Sequence, residues 1–254
     1  MTLNCKTPDD VLKAIKDNDI KHVDLRFTDP RGKWQHLTQW HTTIDEDCFE
    51  DGFMFDGSSI AGWKAINESD MCLQLDVSTA KMDPFSAEPT MIMLCDVHDP
   101  ISGARYERCP RSLAKNAEDY LKSTGIGDTA FFGPEAEFFV FDDVRFAVDM
   151  NHTFFKLDSN EGPYNSGAEF DDGNPGHRPG IKGGYFPVPP VDSAHDMRSE
   201  MVSVMAQRGL DVEKHHHEVA PSQHELGLKF DTLVSSADNL QAYKYVVHMV
   251  AHGY

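Results

Sequence analysis

The chain has no run of about 18 apolar residues and no apolar stretch behind a basic N-terminus, so neither a membrane span nor a secretion signal is expected. It has no Cys-x-x-Cys. Its five cysteines (Cys5, Cys48, Cys72, Cys95, Cys109) are scattered and odd in number. That argues against a disulfide framework and against a thiolate zinc site, and it fits a reducing, cytoplasmic compartment. Basic residues are scarce: 23 Lys and Arg stand against 42 Asp and Glu, a net charge of −19. A surface of that sign excludes general binding to nucleic acid or to anionic membranes. Internal repeats and low-complexity segments are also missing.

What remains is a globular chain of 254 residues, 40% of them hydrophobic, long enough for one large domain or two. Thr7-Pro8-Asp9-Asp10 opens a helix, with Thr7 as cap, Pro8 in the first turn and Asp10 complementing the dipole. His22 to Thr28 alternates, with Val23, Leu25 and Phe27 on one face. Asp29-Pro30-Arg31-Gly32 is a turn, and Lys33 to Thr38 a return strand. Met91 to Val97 is a continuous apolar run, the pattern of a strand buried on both faces. Pro110 to Ser123 reads as a helix ended by Gly125. Arg105, Arg108 and Arg111 near its start are expected on a solvated face. Thr129 to Phe141 reads as one strand. Asp149 to Pro190 is rich in Gly, Pro, Asn and Asp and longer than a connector needs, which predicts binding loops. A helix is expected over Ser193 to Arg208 and another from about Ser236 to Gly253. Strand and helix segments alternate loosely, so the fold class is α+β, with a first part ending near Gly103.

Val212 to Phe230 carries Glu213, Glu218 and Glu225 together with His215, His216, His217 and His224. If Pro221-Ser222 is the loop of a hairpin, Glu218 lies opposite Glu225 and Glu213 opposite Phe230. Facing carboxylates destabilise a ladder, and a divalent cation between them turns that repulsion into coordination. A solvated hairpin explains one Glu or one His. Three acids and four histidines in so short a stretch favour a metal or ligand site. Glu135 and Glu137 are a second acidic pair: at i and i+2 of a strand they leave the same face. Oxygen-rich ligation without thiolate favours Mg²⁺ or Mn²⁺ over Zn²⁺. Phe55-Asp56-Gly57-Ser58-Ser59 is a compact polar turn. The Gly-rich loop Ile181-Lys182-Gly183-Gly184-Tyr185-Phe186-Pro187 lacks the P-loop spacing.

Four motifs then stand in order: Phe55-Asp56-Gly57-Ser58-Ser59 with Glu68-Ser69-Asp70; Gly133-Pro134-Glu135-Ala136-Glu137-Phe138-Phe139; Lys182-Gly183-Gly184-Tyr185-Phe186-Pro187; and His215-His216-His217-Glu218-Val219-Ala220. Together they resemble the N-terminal part of the bacterial type I glutamine synthetases, over essentially the whole chain. The resemblance implies a β-grasp-like domain (1–103) followed by the first part of the catalytic α/β barrel (104–254). It implies ATP-dependent joining of ammonium to glutamate through γ-glutamyl phosphate, with two Mg²⁺ or Mn²⁺ per active site. Glu137, Glu218 and Glu225 would hold one metal, Glu137 and Glu218 would also face the substrate, and Glu135 would belong to the second metal. Glu213 and Phe230 match nucleotide positions, Asp56 and Ser59 the ammonium side, with Tyr185 near it. In this reading the histidines mostly hold the acids in place, and a β-bulge within His215-His216-His217 is expected, because strict alternation sets Glu213 and Glu218 on opposite faces. The family's assembly is a homo-dodecamer of two stacked hexameric rings with active sites between subunits. The long loop fits the subclass regulated by adenylyltransferase and PII proteins. Further family motifs are expected beyond Tyr254, so 254 residues alone are expected to lack synthetase activity. Two other classes compete: a catalytically inactive assembly relative of the same fold, and a zinc metallohydrolase using His216 and Glu218.

Overall fold

The structure, a computed structural model, describes residues 3–165 and 176–254. The chain divides into two compact units. The first comprises residues up to 132 with 207–209 and 230–244; the second comprises 133–206, 210–229 and 245–254.

The first unit begins with α1 (Pro8–Asp17). Thr7 Oγ1 accepts from the Asp10 amide, and the Asp10 carboxylate accepts in return from the Thr7 amide. This reciprocal cap satisfies two donors that a helix start leaves open. Strand β1 (His22–Thr28) pairs antiparallel with β2 (Trp34–Trp40). The turn between them is organised by Asp29, whose Oδ1 accepts from the amides of Arg31 and Lys33. A short helix α2 (Asp47–Asp51) leads into β3 (Phe53–Asp56), then β4 (Asp70–Leu75), β5 (Lys81–Met82) and β6 (Thr90–His98). The sheet order is β2-β1-β6-β4-β3, with β5 also on β6 and with β1 and β6 parallel.

Val23, Leu25 and Phe27 are buried, as the alternation predicts, but so are Asp24 and Arg26 between them. The polar face of β1 is closed by an internal ion pair, Arg26 Nε to Asp24 Oδ2 at 2.7 Å, and by Thr38 and His36 on Asp24 Oδ1. Helix α3 (Pro110–Thr124) ends at Gly125, at φ +68°. One expectation fails here. Arg111 is not on a solvated face: it is buried and bonded to Asp76, Asp96 and Asp238. The first turn of α3 turns Arg111 and Ser112 inward, and three aspartates lie close enough to pair with Arg111.

The strand expected over Thr129 to Phe141 is broken in two. Phe131–Phe132 forms β7 and Glu137–Phe139 forms β8, in different sheets. Pro134 lacks the amide a ladder requires and fixes its own φ, so the chain changes sheets there. Glu135 therefore lies in the connection and is not the in-strand partner of Glu137.

In the second unit β9 (Asp143–Val148) and β10 (Thr153–Asp158) form an antiparallel hairpin. The start of the region expected as loop is thus strand, while residues 166–175 lie outside the described residues. Helix α4 (His195–Gln207) buries Met197, Met201 and Met205. Strands β11 (Val212–His217) and β12 (Gln223–Leu228) follow, and β12 is the middle strand of the sheet β11-β12-β8. The short β13 (Asp231–Thr232) returns to the first unit and pairs with β7. The chain closes on α5 (Leu233–Gly253), which starts three residues before the expected Ser236. No helix among the described residues is long and apolar enough to cross a membrane.

Candidate metal centre

Glu225 on β12 lies opposite His216 on β11 and opposite Glu137 on β8. Residues in one row across a sheet share a face, so this row carries Glu137, Glu225 and His216 together. Two residues past His216, at the end of the strand, Glu218 rejoins the same face. His216, Glu218 and Glu225 offer ligand atoms all within 4.8 Å of one another. His216 Nδ1 stands 3.6 Å from Glu218 Oε1, and its Nε2 stands 3.4 Å from Glu225 Oε2. Glu137 belongs to the row but not to this cluster; its Oε2 accepts from Gln223 Nε2.

His216 Nε2 is buried and has no hydrogen-bond partner. An orphaned buried polar atom costs about 1–3 kcal/mol, and two carboxylates turned toward one point add repulsion. A divalent cation relieves both, so the residues present fit such an ion. The donor set is two carboxylates and an imidazole, with no thiolate. That composition suits a hard to borderline divalent cation.

The hairpin register departs from expectation by two residues. His217 pairs with His224 and His216 with Glu225, so Glu218 does not face Glu225 and Glu213 does not face Phe230. The Glu218 amide donates to the Gln223 carbonyl at 2.8 Å, closing a wider connection than Pro221-Ser222 alone. The cause is Ser222. It is buried, held at φ +65°, and its amide is taken by Glu161 Oε2 at 2.7 Å. Because the slip is even, every side chain keeps its face, and the two acids still meet, diagonally.

The bulge lies between Val212 and Lys214, so Glu213 is the extra residue, and the ladder is regular from Lys214 to His217. It therefore precedes the histidine triplet where it was expected. Within the triplet, alternation sorts the side chains. His216 goes to the acid face; His215, His217 and His224 go to the face covered by α4. There, buried Arg198 donates to His224 Nδ1 at 3.0 Å and pairs with Asp192. Burial, then the charge of Arg198, push the His224 imidazole down to about 3, so it is neutral. His217 Nδ1 donates to the Glu218 carbonyl at 2.6 Å, and Nε2 donates to Glu161 at 2.8 Å. Burial alone would lower the pKa of His217; the bonds to Glu161 and the Glu218 carbonyl raise it on balance. Burial likewise opposes ionisation of Glu161, yet His217, Ser193 and the Ser222 amide hold it at about 2. Of the four histidines expected to hold the acids in place, His217 does so through the Glu218 carbonyl, His215 and His224 pack on Arg198, and His216 faces the acids.

Tyr185 is brought to the centre: its ring lies edge-on to His216, centroids 5.0 Å apart. Its loop crosses the hairpin at Gly184, whose amide donates to the Val219 carbonyl at 3.1 Å. A Cβ at Gly184 would overlap the Glu218 carbonyl and the His217 ring, so only glycine allows the crossing. Glu135 and Glu213 are exposed and stand outside the cluster. In the first unit, Asp56 closes β3 and is exposed, accepting from the Ser58 amide (2.8 Å) and hydroxyl (2.6 Å), with Ser59 Oγ at 3.4 Å. The Ser58 side chain and then its backbone hold this carboxyl below the usual range. Phe230, also in that unit, is exposed, with its ring edge-on to Phe131 at 5.4 Å. Sequence reasoning missed Glu161, Arg198 and the need for glycine at 184. Arg198 had a signal: it shares the i, i+3, i+7 stripe with Met201 and Met205.

Two family models match the chain: the glutamine synthetase β-grasp domain over residues 19–100 and the glutamine synthetase catalytic domain over residues 107–254. The chain belongs to the glutamine synthetase family. Among relatives, glutamine synthetase of Azospirillum brasilense is 68% identical over 244 residues, covering 96% of this chain and 52% of the relative. That of Rhizobium meliloti is 64% identical over 248 residues, covering 98% and 53%. The solved glutamine synthetase of Plasmodium falciparum superposes with a TM-score of 0.91 at 26% identity, over 99% of this chain and 50% of that one. The chain thus spans about half the length of the glutamine synthetases it matches. Both domain types expected from the sequence, β-grasp and catalytic, are present, and the mixed α and β architecture agrees.

Proposed function

We propose that the complete protein is an ATP-dependent ligase that joins ammonium to glutamate, passing through γ-glutamyl phosphate. The observation that carries this reading is the acid face of β11-β12-β8, where His216, Glu218 and Glu225 converge with Glu137 in the same row. Glu137, Glu218 and Glu225, with His216 beside the last two, are the residues that hold one divalent cation, Mg²⁺ or Mn²⁺, and Glu137 and Glu218 border the glutamate substrate; Glu135 serves a second. Bound cations supply neutralisation of the ATP phosphates and of charge developing on the transferred group.

The chain's own residues divide the remaining work. Glu213, on the bulge, and Phe230, with its exposed ring, serve the nucleotide. Asp56 stays anionic and so attracts an ammonium ion; Ser59 beside it shares that role, and Tyr185 borders the same region. Residues 1–103 form the β-grasp-like domain and 104–254 the start of the catalytic barrel. The assembly is a cytoplasmic homo-dodecamer of two hexameric rings, with Asp56 and Ser59 reaching the site of a neighbouring subunit, under control by adenylyltransferase and PII proteins.

The test is γ-glutamyl hydroxamate formation from glutamate, hydroxylamine and ATP by the protein extended to the length of its relatives. Product that requires all three substrates and is lost in Glu225→Gln is the expected result. ATP hydrolysis indifferent to glutamate would overturn the reading.

A further inference from the structure

We infer that Glu161 is a positioning residue for the cation cluster, a buried carboxylate that ties down both ends of the loop presenting Glu218 while standing off the cluster's face. The inference rests on reading His216, Glu218 and Glu225 as a cation site. Glu161 is 5% exposed. Its Oε2 accepts from the Ser222 amide at 2.7 Å and from His217 Nε2 at 2.8 Å, and its Oε1 accepts from Ser193 Oγ at 2.7 Å. His217 in turn donates from Nδ1 to the Glu218 carbonyl at 2.6 Å. One carboxylate therefore fixes the backbone of Ser222 directly and that of Glu218 through a single intermediary.

Those two residues bracket the connection between β11 and β12. Ser222 is held at φ +65°, a conformation costing a non-glycine residue about 1–2 kcal/mol, so the connection keeps its shape only while something holds it. Ser159 Oγ adds a bond to Ser222 Oγ at 2.5 Å, from the same segment as Glu161. Strand alternation turns His217, and with it Glu161, away from His216. Glu161 thus acts on the cluster by geometry and is not a ligand. Residues that orient metal ligands from behind commonly cost about 10–100-fold in affinity when removed.

The test is Mn²⁺ affinity of the chain by calorimetric titration and electron paramagnetic resonance, with amide exchange at residues 219–223. Glu161→Ala is expected to weaken Mn²⁺ about tenfold and to speed exchange of the Ser222 amide. Glu161→Asp, one methylene too short, is expected to weaken it about threefold, while Glu161→Gln, which keeps the acceptor, stays within about twofold. Introduced on top of Glu218→Gln, Glu161→Ala is expected to have no further effect, because it acts through Glu218. Full additivity of those two changes would overturn the inference, as would unchanged affinity in Glu161→Ala and Glu161→Asp while Glu225→Gln abolishes binding. If Glu161→Ala fails to fold, Glu161→Asp decides. If Glu218→Gln and Glu225→Gln leave Mn²⁺ affinity untouched, the cation reading itself fails and takes the inference with it.

Discussion

In the first unit three aspartates converge on Arg111; in the second, two glutamates converge on His216. Asp238 accepts from Arg111 Nε and Nη2, Asp96 from Nη1 and Asp76 from Nη2, and Lys115 adds bonds to Asp76 and Asp96. Three negative charges meet two positive ones inside the protein. Asp76 is held at about 2: burial opposes ionisation there, but Ser78 and Arg111 outweigh it. Asp238 goes the other way, because its burial outweighs Arg111. That network is closed by the protein's own cations. The glutamate cluster has only an imidazole, one nitrogen of which makes no hydrogen bond. A buried acid cluster that brings its own guanidinium is architecture; one that leaves carboxylates and a ring nitrogen's lone pair turned to one point invites a cation from solution.

The largest expected effect breaks the closed network. Arg111→Ala leaves buried carboxylates uncompensated and should cost about 3–5 kcal/mol in denaturant unfolding, without changing Mn²⁺ affinity measured where the protein remains folded. Glu225→Gln should do the reverse. Mn²⁺ binding falls by at least about 10–100-fold, while thermal stability without metal holds or rises, since a repulsion is removed. If both variants lost stability alike, the distinction between the two clusters would not stand.

The His217–Glu161 pair sharpens the contrast through pH. The folded pKa of His217 is raised, so its contribution is complete below the unfolded value and fades as pH climbs through the folded one. Glu161, at about 2 against an ordinary 4.5, contributes fully above 4.5 and loses that as pH falls toward 2. The stability gap between wild type and His217→Gln, about 1.5–3 kcal/mol at its widest, should therefore peak between about pH 4.5 and 6.5 and narrow on both sides. A gap that widened into alkaline pH would rule out the charged pair. The smallest effect is local: Thr7→Ala removes the cap of α1 and should cost about 1 kcal/mol in thermal unfolding, with Mn²⁺ affinity unmoved.

Local chemistry made much of the fold legible. Thr7 and Asp10 marked one helix start, Gly125 another's end, and the apolar run at Met91 to Val97 marked a buried strand, because each signal acts within a turn or two of chain. What stayed hidden depends on distant partners. Arg111 read as a surface cation because Asp76 and Asp238 are remote in sequence. The register of β11 and β12 was misread because Ser222 adopts a left-handed backbone held by Glu161, 61 residues away, and by Ser159. The acids of the candidate site were legible as a group, since an even slip preserves facing. His216 stood with Glu218 in the competing zinc reading, at the i and i+2 spacing that shares a strand face, whereas its place opposite Glu225 depended on the register.

The three consecutive histidines answer to two different neighbours, the middle one to the acids and the outer two to the helix side. That arrangement constrains how the gene can change length. Adding or deleting one codon inside β11 would exchange the two sets at a stroke, sending His215 and His217 among the carboxylates and His216 against Arg198. Tolerated length changes there should come in pairs. A single-residue change is admissible only where the ladder already breaks step, at Glu213, or in the connection after Glu218, and these are the places where sequences of this family should be found to differ in length.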